Sequence, residues 1–208
     1  GLQGDRSSLF YEYLRILNET KPKYFILENV ASMSKESQEI ITKELFNIEP
    51  VMINSALLTA QNRKRLYWVG KLVNGEYKQV KIEQPKDKEI YLKDIIRESY
   101  NNDLTFAHVN NLRIIKKDDK ARTLTATYYK GIRGAGRPIV VKKNIIGKHL
   151  DNVKKSDYNQ LAPTECCRLQ GFPDDYVSMV SNTQGYKGLG NSFTVPVIKH
   201  ILQKILKS

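Results

Sequence analysis

The sequence predicts an α/β protein: a mostly parallel sheet covered by helices, with a small basic lobe inserted before the chain returns to the sheet. Three features lead there. Helical and strand-like segments alternate through residues 1–74, and residues 75–159 break into short lysine-rich pieces. Residues 160–208 then recover regular order and end in an amphipathic helix.

In chain order, a polar lead-in (GLQGDR) meets Ser7-Ser8, an N-cap signal, and then Leu9, Phe10, Tyr13, Leu14, Ile16 and Leu17 at helical spacing. Pro22 disfavours helical geometry just before it and ends this helix near Lys21. The run Tyr24-Phe25-Ile26-Leu27, entering Glu28-Asn29-Val30, reads as a strand over 24–28 buried on both faces, as in parallel sheets. An amphipathic helix over 35–47 carries Ile40, Ile41, Leu45 and Phe46 and stops before Pro50. Strands follow over 51–58 and 66–72, the second closed by the turn signal Asn74-Gly75.

The inserted lobe contains the turn formers Asn101-Asn102, Gly131, Gly134 and Gly136, and one clear strand, Ile139-Val140-Val141 after Pro138. A short helix over 164–170 then runs into the turn Gly171-Phe172-Pro173. A glycine-rich stretch through Gly190 leads to a final helix over 193–206.

A net charge of +12 over 208 residues, with 12 tyrosines, fits a polyanionic partner, nucleic acid before membrane. No apolar run reaches the roughly 20 residues that span a bilayer, and no secretory signal opens the chain. The only cysteines, Cys166 and Cys167, are adjacent, so they form neither a disulfide framework nor a zinc pattern. A cytoplasmic compartment follows, and no metal is expected.

Two clusters carry chemistry. Glu28 sits at the carboxyl end of a strand, the rim at which α/β sheets bind ligands, and charges are seldom buried without a partner. Its plain alternative is a helix cap or a local lysine pair. In Gln61-Asn62-Arg63-Lys64-Arg65, alternate cations in an extended segment point the same way. Two guanidinium forks suit phosphate or a base carbonyl. The plain alternative is a solvated basic turn.

Taken together, Glu28-Asn29-Val30, Gln61-x-Arg63-x-Arg65, Arg168-Leu169-Gln170-Gly171-Phe172-Pro173 and Gly190-Asn191-Ser192 with Val195-Pro196-Val197 resemble the DNA cytosine-5 methyltransferase family. The order matches, and the Glu28–Arg65 stretch, with Met33 and Pro50-Val51-Met52-Ile53, is similar to the de novo branch. The resemblance implies the C-terminal part of a Rossmann-like fold that uses S-adenosylmethionine, with residues 1–74 in the catalytic domain. It makes 75–159 a target recognition domain and returns 160–208 to the catalytic domain. It implies a cysteine thiolate adding to C6 of a cytosine flipped out of duplex DNA, so that C5 accepts the methyl group. By the same resemblance Glu28 bonds the ring N3 and exocyclic amine, Arg65 the cytosine O2, and Arg63 organises the site or a phosphate. Asn191 and Ser192 close over the cofactor, and Glu165 and residues 168–173 brace the recognition lobe. Arg122, Thr123, Thr125, Tyr128, Arg133 and Arg137 lie in the part resembling the recognition loop and are candidates for DNA contact.

The resemblance also shows gaps. No proline is followed by cysteine, and the glycine-rich cofactor loop is absent. Cys166 and Cys167 stand in the bracing motif and read as packing residues. The chain therefore reads as starting just past the nucleophile's loop. A separate subunit, a cleaved piece or an unseen loop would each explain this, and each implies a complementary N-terminal segment that completes the sheet. Two other readings stand beside the enzyme: a noncatalytic DNA-binding or regulatory subunit, and a transfer-RNA cytosine-5 methyltransferase.

Overall fold

Strand β3 (Lys64–Val73) is the spine of the first half of the molecule. Its run Leu66-Tyr67-Trp68-Val69-Gly70 is buried throughout, which suits a strand flanked on both edges. In this computed structural model, which describes residues 8–96, 104–108, 113–116, 118–133 and 138–207, the fold divides into two compact units. The first comprises Gly1–Asn54, Lys64–Gln84 and His200–Ser208, and the second comprises Ser55–Arg63 and Pro85–Lys199.

In the first unit β1 (Tyr24–Val30) pairs along one edge of β3. β2 (Val51–Asn54) and β4 (Glu76–Gln79) share the other edge, β2 against residues 64–67 and β4 against residues 70–73. Helices α1 (Ser8–Thr20) and α2 (Lys35–Glu44) supply Leu14, Leu17 and Ile41 to a core with Phe25, Leu45, Ile48, Leu66 and Trp68. The indole N–H of Trp68 would cost several kcal/mol if buried unpaired; it donates to Thr42 Oγ1 at 3.0 Å. Ser34 caps α2 by accepting from the Ser37 backbone N–H at 3.2 Å. Asn74 (φ 53°) and Gly75 (φ 85°) make the β3–β4 turn, as their sequence signal predicts.

The parallel sheet expected from the α-β alternation is corrected: every described strand pair is antiparallel. The alternation does leave β1 and β2 running in one direction, since both oppose β3. They are not neighbours, because β3 lies between them. The strand over 24–28 is also less buried than its apolar run suggests. Only Phe25 is fully buried, because among the described strands β1 has a neighbour on one edge only.

The second unit carries a separate antiparallel sheet in the order β6-β5-β7-β8: β5 (Leu104–His108), β6 (Arg113–Ile115), β7 (Pro138–Lys142) and β8 (Tyr158–Gln160). Helix α3 (Pro163–Gln170) has proline at its start, and its Glu165 carboxylate accepts from the Ala162 N–H at 2.7 Å. Gly171, left-handed at φ 76°, ends it. Helix α4 (Asn182–Asn191) occupies the stretch read from sequence as merely glycine-rich. Ser181 caps it, and Tyr186 and Leu189, three apart on one face, anchor it in the core. Helix α5 (Val195–Ile205) closes the chain, and no described helix is long and apolar enough to cross a membrane.

Cys166 and Cys167 belong to this core with Leu124, Tyr128, Leu161, Leu169 and Leu189. Burial pushes both thiols and the Tyr128 hydroxyl above their usual ranges. Folding should therefore block alkylation of both cysteines by iodoacetamide at pH 7.5, and urea should expose both. In the unfolded chain such groups ionise near pH 8.5 and 10. The folded protein holds these protons longer, so stability is intact below about pH 8.5 and falls as pH rises beyond it. Unfolding free energies from urea titrations at pH 7, 9 and 10.5 should decline in that order, by up to about 1.4 kcal/mol per pH unit for each group.

Candidate functional site

Register brings the first pair together. Glu28 stands opposite Tyr67, and Arg65 lies two residues from Tyr67 on the same strand, so Glu28 and Arg65 are diagonal neighbours on one face. Glu28 Oε1 lies 2.9 Å from Arg65 Nε, with the two side chains 31% and 14% exposed. A half-exposed pair of this kind is worth about 1 kcal/mol or less. Oε1 accepts no hydrogen bond among the described residues, and Arg65 Nη1 donates to the Lys64 carbonyl at 2.9 Å. The contact is an ion pair that leaves the carboxylate able to accept. Asn29, whose motif position had no assigned role, turns its Oδ1 back onto the Val30 N–H at 2.8 Å and finishes the strand just past Glu28.

Arg63 behaves differently. Its side chain is buried in the second unit, where Nη1 donates to Leu124 O at 2.9 Å and Nη2 to Ser192 O at 2.6 Å and Gly190 O at 3.3 Å. Of the two roles expected for Arg63, organising the site or a phosphate, these bonds fit the first. Three backbone carbonyls occupy the guanidinium, so Arg63 is a positioning residue joining residues 61–63, 124 and 190–192.

Gln61 has the same role, which sequence reasoning did not assign. It is fully buried; Nε2 donates to Leu169 O at 2.9 Å and to Gln170 Oε1 at 3.0 Å, and Oε1 accepts from Leu124 N at 2.9 Å. Gln170 Nε2 donates to Leu189 O at 2.6 Å, while its Oε1 also accepts from Thr194 Oγ1 at 3.1 Å, which in turn accepts from Ser55 Oγ at 2.8 Å. One assignment of donors and acceptors satisfies every one of these bonds, the condition under which a buried polar network stabilises. The only signal in the sequence was membership of Gln61 and Gln170 in two separate motifs.

The remaining candidates are scattered. Asn191 is exposed at the end of α4, whereas Ser192 spends its hydroxyl on Leu189 O at 2.8 Å. Arg122 is exposed, Thr123 Oγ1 donates to Asn62 O at 2.7 Å, and Thr125 Oγ1 lies 3.3 Å from Thr127 Oγ1. Tyr128 is corrected: it is wholly buried, its hydroxyl accepts from Leu161 N at 2.8 Å, and its ring meets Tyr186 edge-on at 5.3 Å. A side chain so enclosed cannot touch DNA. Arg133 ends the short 3₁₀ segment Tyr128–Arg133, and Arg137 lies outside the described residues. Glu165 is buried, and Arg168 forks onto Asp174 at 2.8 and 2.6 Å. No cluster of His, Cys, Asp or Glu among the described residues suits a metal.

Residues 1–207 match the family described as C-5 cytosine-specific DNA methylase. The chain belongs to that family. Among curated relatives it is 28% identical over 237 residues to the type II methyltransferase M1.ScrFI of Lactococcus lactis subsp. cremoris, covering 100% of this chain and 57% of that protein. It is 28% identical to the type II methyltransferase M.HpaII of Haemophilus parainfluenzae, covering 100% of this chain and 66% of that protein. The chain thus spans about three fifths of the length of such relatives. The fold is shared with the solved S. pombe Dnmt2 methyltransferase, at a TM-score of 0.66 and 22% identity over 99% of this chain and 75% of that one.

The site yields a paired test on α4. A Cβ on Gly190 would lie 2.2 Å from Thr125 C and 2.3 Å from Ala126 N, whereas one on Gly188 meets nothing within 4 Å. Gly188→Ala should stabilise the protein by about 0.5–1 kcal/mol through helix propensity. Gly190→Ala gains the same propensity but pushes on the backbone of 125–126, so it should destabilise by about 1–3 kcal/mol. Urea unfolding of the two variants measures both signs.

Proposed function

We propose that this chain is the substrate-recognising part of a DNA cytosine-5 methyltransferase that transfers the methyl group of S-adenosylmethionine to C5 of a cytosine flipped from duplex DNA. One observation carries the proposal: Glu28, beside Arg65 at the end of β1, has a carboxylate oxygen 2.9 Å from a guanidinium and no hydrogen bond of its own. The Glu28 carboxylate, 31% exposed, suits the N3 and exocyclic amine of cytosine, a donor pair that a carboxylate can engage together once N3 carries a proton. Arg65, at 14% exposure, is placed to give a donor to the neighbouring ring oxygen as negative charge develops. Arg63 and Gln61 act through backbone, holding residues 121–126 and 190–192 in place.

When bound, S-adenosylmethionine supplies the electrophilic methyl group. From this chain Asn191 is the polar side chain left outward to meet it. Ser192 shapes the loop instead, because its hydroxyl and carbonyl are already used within the protein. Arg122, Thr123 and Thr125 lie on the segment pinned by Arg63 and Gln61 and are proposed to contact DNA, with Arg133 and Arg137 further along. Residues 75–159 act as the recognition lobe. The +12 charge supplies the nonspecific attraction to phosphate.

The buried thiols of Cys166 and Cys167 are unsuited to attack C6. A complementary N-terminal segment is therefore proposed to bring the nucleophile and to pair with the outer edge of β1. The protein would act in the cytoplasm, within a restriction–modification system, as the type II naming of its relatives suggests.

The test is transfer of labelled methyl from S-adenosylmethionine to duplex DNA, using this chain alone and mixed with the polypeptide encoded immediately upstream. Activity is expected only in the mixture, and Glu28→Gln should lower it by about 10²–10⁴-fold while leaving DNA retention intact. DNA retention without transfer in either case would instead support a noncatalytic DNA-binding subunit.

A further inference from the structure

At the opposite end of β1 from Glu28 lies a pocket of about 510 Å³, wholly within the first unit. It sits beside the start of the strand, where the Leu72 N–H reaches the Lys23 carbonyl. Five residues at 3.3 Å each put it about 16 Å from the Glu28 carboxylate. The proposed methyl transfer has no use for it.

Its lining has a definite chemistry. Phe46 and Tyr77 form an aromatic wall, their ring centroids 5.0 Å apart at 35°. Asn18 and Asn47 offer amides, and Glu76 a carboxylate. Helices α1 and α2 both end here, just before Lys21 and Phe46, so two carbonyl-rich, partially negative termini converge on one spot. Helix endings account for one left-handed residue each. Here α2 ends on two in succession, Phe46 at φ 61° and Asn47 at φ 58°, and Phe46 stays 40% exposed. Burial within the fold does not explain an aromatic ring held out in this conformation. Two cations stand near: Lys21 in the lining, and Lys78, which approaches Glu76 at 3.7 Å through an exposed pair.

We propose that this pocket binds an alkylammonium ion. Its methylenes lie on the Phe46–Tyr77 wall, where the rings also attract the cation. Its charge faces Glu76 and the two helix ends. Lys21 opposes the ligand from the rim. The site is independent of the methyltransferase reading, since no residue of it belongs to that machinery.

The test titrates the 208-residue chain with n-butylammonium chloride, with potassium chloride at equal ionic strength and n-butanol as controls, following backbone amide shifts. Saturable shifts confined to the pocket are expected with the amine alone. Phe46→Asn keeps a residue tolerant of the left-handed region and removes the wall, so it should weaken binding at least about tenfold. Glu76→Gln should weaken it, and Lys21→Gly strengthen it, by about two- to fivefold each. Spermidine and Nα-acetyl-lysine amide, run in parallel, distinguish a free polyamine from a protein side chain by whichever binds more tightly. Absence of saturable shifts, equal binding by n-butanol, or unchanged binding in Phe46→Asn would each overturn the proposal.

Discussion

Gln61 and Arg63, two residues apart and both buried, hold together pieces of backbone that the sequence places more than a hundred residues from one another. Leu124 is fixed twice, by its N–H to Gln61 Oε1 and by its carbonyl to Arg63 Nη1. The amide of Gln61 reaches Leu169 and Gln170, and the guanidinium of Arg63 reaches Gly190 and Ser192. Each bond contributes only about 1 kcal/mol net. The stronger constraint is negative: a buried amide or guanidinium without partners costs several times that. The segments around them must therefore stay in register, and Gly190 lets one of them approach Thr125 with no side chain between.

The first unit uses a different principle. Its centre is apolar, and order comes from β3 filling the gap between two strands that run the same way. The antiparallel pairing is what makes Glu28 and Arg65 meet, since a diagonal across one face brings position 28 beside position 65. A parallel partner would have put other residues there. Arg63 and Arg65, which read from sequence as twins, thereby take opposite roles: one is consumed by backbone carbonyls, the other left beside a carboxylate.

The two ends of β1 also differ in chemistry. One carries the ion pair proposed to read a base. The other gathers helix C-termini, aromatic rings and left-handed backbone around the pocket proposed to take an alkylammonium ion.

Much of this was legible locally. Periodicity and Pro22, Pro50 and Asn74-Gly75 located α1, β1, α2 and the β3–β4 turn, because caps, turns and helix stops are set by neighbouring residues. The motifs around Glu28, Arg65 and Arg168 pointed to the family for the same reason. Helix α4 escaped, since three glycines and two asparagines in ten residues conceal a face whose two anchors, Tyr186 and Leu189, matter only once a core exists to receive them. Strand direction, the burial of Tyr128 and the division of labour between Arg63 and Arg65 were decided by tertiary structure alone. Each depends on which distant backbone comes to lie alongside, and hydrogen-bond partners separated by 60 to 130 residues leave no local trace in composition or spacing.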